Sequence, residues 1–282
     1  MDYKGRRQSS NVQDRRAGGG AASIGGVGLV IILIYSLLTN DLSLLFNVGL
    51  NQLATKNVNT EFVETEHEKE MAEYVSVVLA DTEDVWHEIF EKHNMRYEEP
   101  TMILFKGQVQ SACGNATSAV GPFYCPADQS IYIDLDFHYD LKSTFGTTGD
   151  FAMAYVIAHE VGHHVQTLLG VSEEVNQYRR KLPTKEFNQI LKRQELQADY
   201  YAGVWAHHMK KSDLLDINDI DEALDAASAI GDDKIQEMSQ GEVTPDNFTH
   251  GTSKQRVRWL KNGYQYGDFK HGNTFDLNEN EL

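Results

Sequence analysis

His159 and His163 stand four residues apart, with Glu160 directly after the first, in the run HEVGH. Side chains at i and i+4 share one face of a helix, so two imidazoles at this spacing can turn a ring nitrogen each towards one metal ion. Glu160 follows at about a quarter turn, close to such an ion yet displaced from the pair. These residue types suit metal-assisted hydrolysis: two nitrogens hold zinc, and the neighbouring carboxylate takes a proton from water. Solvated histidines on a polar helix face are the plain alternative. The run HEIFE, beginning at His87, shows the pattern failing, because Glu91 stands where the second histidine is required.

A third ligand is available in ILKRQELQADYYAGVWAHH. Phe187, Leu191, Ala198, Ala202 and Trp205 recur at helical spacing and predict a buried stripe, with Glu195 and Asp199 on or beside it. Carboxylates are rarely buried without a partner. Zinc is such a partner for Glu195, and Asp199, one turn later, can accept the N–H of a metal-bound imidazole. Bonding of both carboxylates to Tyr or Arg is the structural alternative. His159, His163 and Glu195 with water in the fourth position make the catalytic arrangement, since structural zinc sites fill all four positions with protein ligands.

Long helices must carry these groups. GDFAMAYVIAHEVGHHVQTLLG, from Gly149 to Gly170, predicts one helix with Asp150 as N-cap, Gly170 as stop and Gly162 as its one internal breaker. Ala154, Ile157, Ala158, Val161, Val165, Leu168 and Leu169 collect on its core side. Upstream, Met71, Tyr74, Val75, Val78, Leu79, Val85, Trp86, Ile89 and Phe90 predict one helix, or two joined near Asp81. Met102–Lys106 and Ile131–Leu135 read as short strands, the alternation in the second implying one exposed face. Asp219–Ile230 and Asp233–Ser239 read as amphipathic packing helices, and a last short helix is expected from Ser253 to Gly263, with Val257 and Leu260 on its apolar side.

HEVGHHVQ, ELQADYYAGVWA and HGTSKQRVRWL, with the arginine-rich start KGRRQSSNVQDRR, SACG and SAVGPFYCPADQ between, resemble the bacterial putative neutral zinc metallopeptidase family, membrane-anchored HExxH peptidases of gluzincin type. The similarity spans nearly the whole chain. It implies an α+β, mainly helical zincin-like domain with a small β-sheet, peptide or protein substrates, and a strand beside the metal helix that lines the cleft. One of the two strands above is expected to serve. The resemblance also implies that His250 donates to a developing oxyanion and that Arg256 fixes the loop or Asp199. Tyr200, Tyr201 and His207 are further donor candidates.

The N-terminal part divides by composition. Residues 1–20 form a basic tail, 21–38 (AASIGGVGLVIILIYSLL) an uncharged stretch long enough to cross a bilayer, 39–65 a juxtamembrane segment and linker, and 66–282 the metallopeptidase domain. Basic residues just before the apolar stretch predict a cytoplasmic N-terminus and an extracytoplasmic domain. A cleaved signal peptide is the alternative to an uncleaved single-pass anchor. Leu42–Leu50 is expected at the membrane surface or at the start of the domain. Cys113 and Cys125 are the only cysteines, and outside the cytoplasm they would form a disulfide bracing a glycine-rich loop; two buried free thiols are the alternative. Asn115-Ala116-Thr117 matches a glycosylation acceptor that matters only in a eukaryotic secretory pathway. The first forty residues carry +3 and the other 242 carry −20 of the net −17, which disfavours nucleic acid and anionic lipid as partners of the domain. A membrane-anchored zinc peptidase with Glu160 as general base is therefore expected, against a non-catalytic zinc-binding interaction module.

Overall fold

A computed structural model describes residues 1–18, 63–147, 151–216 and 218–282. The expected membrane stretch 21–38, the segment Leu42–Leu50, most of the linker and Asp150 lie outside the described residues. Among the described residues no helix is long and apolar enough to cross a membrane. Two compact units are present: Met1–Arg15 with Thr65–Leu282, and Arg16–Glu64. The described part of the second is a 3₁₀ turn at Arg16–Gly18 with residues 63 and 64.

The first unit is α+β and mainly helical. Its strands are β1 (Val12–Asp14), β2 (Thr101–Phe105), β3 (Gln108–Ser111), β4 (Gly114–Thr117), β5 (Phe123–Cys125) and β6 (Ser130–Asp134). Its helices are α1 (Glu66–Lys92), α2 (Phe137–Ser143), α3 (Phe151–Leu168), α4 (Val171–Tyr178), α5 (Thr184–Lys211), α6 (Asp219–Ala229), α7 (Asp232–Gln240) and α8 (Ser253–Tyr266). A four-stranded sheet has the order β1-β2-β6-β5, with β5 alone antiparallel to its neighbour. β3 and β4 form a separate hairpin.

Alternation along β2 and β6 separates two apolar layers. Met102, Leu104, Ile131 and Ile133 join the main core with the helices, whereas Ile103, Phe105 and Tyr132 pack with Cys125 and, at the edge, Val109 and Phe123. The expected exposed face of the second strand is therefore corrected, because β6 is buried along its whole length. Its polar residues are satisfied: Asp134 accepts from the backbone N–H groups of Gly107 and Asp136 and from Ser118, and Ser130 donates to the carbonyl of Asp128. The Cys113–Cys125 disulfide joins the β3–β4 turn to β5, bracing the layer that covers this second face.

α1 is one continuous helix, started by a capping box in which Thr65 accepts from the Glu68 N–H and Glu68 accepts from the Thr65 N–H. The basic tail packs with the domain: residues 1–15 form one compact unit with Thr65–Leu282. β1 pairs in parallel with β2, Val12 opposite Met102 and Asp14 opposite Leu104. Arg6 pairs with buried Asp81, Arg7 with Glu83 at 2.9 Å and Asp84 at 2.7 Å, and Ser9 donates to Glu83. Asp81 and Glu83 are acids buried on α1, and the tail supplies their cations.

Two glycines set how closely the central helices approach. A Cβ on Gly162 would lie 2.9 Å from the Ala198 carbonyl oxygen, so the small residue inside HEVGH lets α3 meet α5. A Cβ on Gly263 would lie 1.9 Å from the Tyr200 carbonyl oxygen, so that residue seats α8 on α5. It does not end the helix as its composition implies: α8 runs on to Tyr266 and stops at Gly267, where φ is +64°.

Candidate metal centre

α3 and α5 bring the three expected ligands together. His159 Nε2 lies 3.2 Å and His163 Nε2 3.4 Å from Glu195 Oε2, and the three donor atoms lie within 4.8 Å of one another. Zinc holding two nitrogens and a carboxylate oxygen tetrahedrally requires donors about 3.3 Å apart, given ligand bonds of about 2.0–2.2 Å. The donor set fits the ion in both chemistry and spacing.

The neighbours of each histidine prepare it to donate a lone pair. His159 places Nδ1 2.8 Å from Asp199 Oδ1, so the proton sits on Nδ1 and Nε2 is free to ligate. His163 places Nδ1 2.9 Å from Gln166 Oε1. The Gln166 amide is oriented by its nitrogen, which donates to the Gln194 carbonyl at 2.7 Å and to Gln197 Oε1 at 3.0 Å. Glu195 would be pushed up by burial, but His163, His250 and His159 hold it well below the ordinary carboxylate range, so it is an anion facing the ion.

Asp199 is completely buried and receives four donors. Arg256 binds it through two nitrogens, each at 2.9 Å, Tyr155 donates at 2.6 Å, and His159 completes the set. Burial alone would raise its pKa, but Arg256 and His159 outweigh that and hold it at about 2. Arg256 also donates to the Ile230 carbonyl at 3.1 Å. Its expected partnership with Asp199 is the observed one.

Glu160 is buried beside the two histidines and lines the cleft. Burial raises its pKa against the lowering pull of His159 and His163. His250 reaches the same cleft from the loop before α8 and is about half exposed. Its Nδ1 lies 3.1 Å from Asp232 Oδ1, which leaves Nε2 for a ligand. The other oxygen of Asp232 accepts the backbone N–H groups of Thr249, His250 and Gly251 at 2.7, 2.6 and 3.2 Å. Asp232 therefore sets both the loop and the ring. α7, read from sequence as packing only, holds this group at its first residue.

The cleft has a volume of about 850 Å³. Phe123 and Tyr124 of β5 form one wall, and Phe187, Leu191, Phe137 and Ile235 add apolar surface. The strand lining the cleft is neither of the two expected from sequence, since β2 and β6 are interior strands and β5 is the sheet edge. His164, fully buried, ties that edge to the metal helix: Nε2 donates to the Glu98 carbonyl at 2.6 Å, and Nδ1 accepts from Tyr124 at 3.0 Å. Tyr200, Tyr201 and His207 do not line the cleft: Tyr200 donates to the Asp268 carbonyl, Tyr201 packs on Trp86 and Phe269, and His207 donates to the Tyr264 carbonyl. Tyr155, Gln166, His164 and Asp232 are residues that sequence reading passed over. The signal for Gln166 was a polar residue at i+3 from a ligand histidine, on a buried helix; Asp232 had none, because its partner lies 18 residues away.

An HExxH helix whose third ligand is a glutamate on a second, tightly packed helix defines a class of zinc site. Residues 1–275 match the family described as "Putative neutral zinc metallopeptidase", and the chain belongs to that family. It is 45% identical over 287 residues to "Uncharacterized protein YpfJ" of Escherichia coli (strain K12), spanning 98% of this chain and 99% of that protein. It is also 45% identical over 190 residues to "Uncharacterized protein Rv2575" of Mycobacterium tuberculosis (strain ATCC 25618 / H37Rv), spanning 64% of this chain and 63% of that protein. No solved structure matches the chain.

Proposed function

We propose that this protein is a membrane-anchored zinc peptidase that hydrolyses peptide bonds, with its catalytic domain outside the cytoplasm. One observation carries the reading most: Glu160, a carboxylate outside the donor set, is buried beside the ligand histidines and opens onto the cleft. A purely structural site gains nothing from a base in that place. The disulfide supports an oxidising compartment.

His159, His163 and Glu195 would hold the zinc, which when bound lowers the pKa of a water molecule and polarises a carbonyl. Asp199 and Gln166 keep the two rings in the tautomer that ligates. Glu160 accepts the proton from the attacking water and returns it to the leaving amine; its raised pKa suits both directions. His250 donates from Nε2 to the carbonyl oxygen as negative charge develops there. β5, the edge strand among the described residues, offers its outer side to an extended peptide, which binds through backbone bonds and so tolerates many sequences. The aromatic and aliphatic walls favour apolar side chains on that peptide.

The test uses the full chain in detergent, because the tail supplies strand β1 of the sheet. Casein cleavage is measured with zinc, after chelation and for Glu160→Gln, with bound zinc determined on each sample. Cleavage should require zinc, and Glu160→Gln should keep its zinc while turnover falls by about 10²–10⁴-fold. A Glu160→Gln chain as active as the native one overturns the assignment. Zinc bound without cleavage by the native chain favours the non-catalytic binding module.

A further inference from the structure

The tail and the domain are joined by contacts that no membrane can separate. The β1–β2 ladder, the Arg6–Asp81 pair and the contacts of Arg7 and Ser9 with Glu83 tie residues 6–14 to α1 and β2. Asn11 extends this by donating to Glu83 at 2.9 Å and to Glu99 at 2.6 Å. Ser9, Asp81 and Glu83 are buried, so the tail forms part of the fold.

The chain also leaves and re-enters this unit at one corner. The Arg15 N–H donates to the Leu104 carbonyl at 2.8 Å, at the end of β2. Re-entry is at Thr65, whose N–H donates to Glu68 at 2.8 Å, and the other Glu68 oxygen is 2.7 Å from Lys106 Nζ. Leu104 and Lys106 are two residues apart, roughly 7 Å of strand. Between the two points the sequence from residue 17 to 55 contains one charge, Asp41. So uncharged a stretch has the composition of a lipid-inserted segment.

We propose that residues 1–15 and 65–282 face the same compartment, and that the chain is held to a lipid bilayer without its tail and its domain lying on opposite sides of it. A single crossing would put β1 and the acids it neutralises on opposite sides, leaving Asp81 and Glu83 buried without their cations. The basic residues before the apolar segment then no longer mark a cytoplasmic end, because Arg6 and Arg7 are committed to carboxylates of the domain.

The test does not depend on peptidase activity. Ser10 and Ser143 are both exposed, one in the tail and one at the end of α2, and the native cysteines are disulfide-bonded. Full-length chains carrying Ser10→Cys or Ser143→Cys are expressed in cells and treated with a membrane-impermeant maleimide before and after permeabilisation. The two sites should label together, both in intact cells or both only after permeabilisation, and the chain should stay with membranes through an alkaline carbonate wash. Labelling of one site but not the other in intact cells overturns the shared compartment. Release by carbonate overturns insertion in the bilayer. The native chain, treated in parallel, must remain unlabelled, and persistence of its disulfide in each variant on non-reducing gels reports that the domain has folded.

Discussion

Two histidine–aspartate pairs flank the same cleft and are built in opposite ways. His159–Asp199 is buried between three helices, with Arg256 bridging both carboxylate oxygens and Tyr155 donating to one of them. His250–Asp232 joins a loop to the first residue of α7, with the ring half exposed and the carboxylate occupied mainly by backbone N–H groups. In the first pair the aspartate orients a metal ligand and its charge is neutralised by a buried cation, so stability and metal binding share one network. The second holds a donor at the cleft surface, where the carbonyl oxygen of a substrate can reach it. A rigid metal ligand and an accessible donor call for these different settings, although the residue types are the same.

Breaking the buried pair should have the largest effect. Asp199→Ala leaves Arg256 buried without its carboxylate and should cost about 3–5 kcal/mol of unfolding free energy. Loss of its hold on His159 should weaken zinc binding by about 10–100-fold. Denaturant unfolding of the chelated chain measures the first quantity, and competition with a chromophoric chelator the second. If both stay at native values, the two pairs do not differ as described.

At the exposed pair the expected loss is in turnover. His250→Ala should lower kcat by about 10²–10³-fold while zinc content and unfolding midpoint hold. A fall in KM affinity with native kcat would instead place His250 in ground-state binding. Asp232→Ala strips an acceptor from three backbone N–H groups and should cost about 1–3 kcal/mol of stability. Because its influence on turnover passes through His250, the Asp232→Ala/His250→Ala chain should turn over no more slowly than His250→Ala alone; additive losses would show a separate role for Asp232.

The smallest effect is on the acid limb of stability. The Asp199 pKa is depressed in the folded state, from the ordinary 3.8 to about 2. Its contribution is therefore fully present above pH 3.8 and is lost as pH falls towards 2. In chelated protein, Asp199→Asn should flatten the stability profile across that interval. An unaltered slope would show that other carboxylates govern acid unfolding.

How much of this was legible beforehand depended on sequence distance. His159, Glu160 and His163 lie within one helical turn, so backbone geometry alone places them on neighbouring faces. Glu195 and Asp199 were marked by being acidic along a predicted buried stripe, a local anomaly. The edge strand β5 was unreadable because three residues, FYC, within a glycine-containing loop carry no periodic signal; pairing with β6 makes them a strand. The tail read as a separate basic flank because its charges were counted alone. Their partners, Asp81 and Glu83, are more than seventy residues away and showed only as acids on a helix.

The sequence by itself determined the metal-binding chemistry, the helices that carry it and the apolar composition of the segment after the tail, since each is written in residue type and short-range period. Only the tertiary structure decided which carboxylate serves which histidine, which strand walls the cleft, and that the first fifteen residues pack with the domain, Val12–Asp14 as a strand of its sheet. Those facts depend on pairs of groups that meet only when α3, α5, α8 and the sheet pack, and burial is what makes each charge require its particular partner.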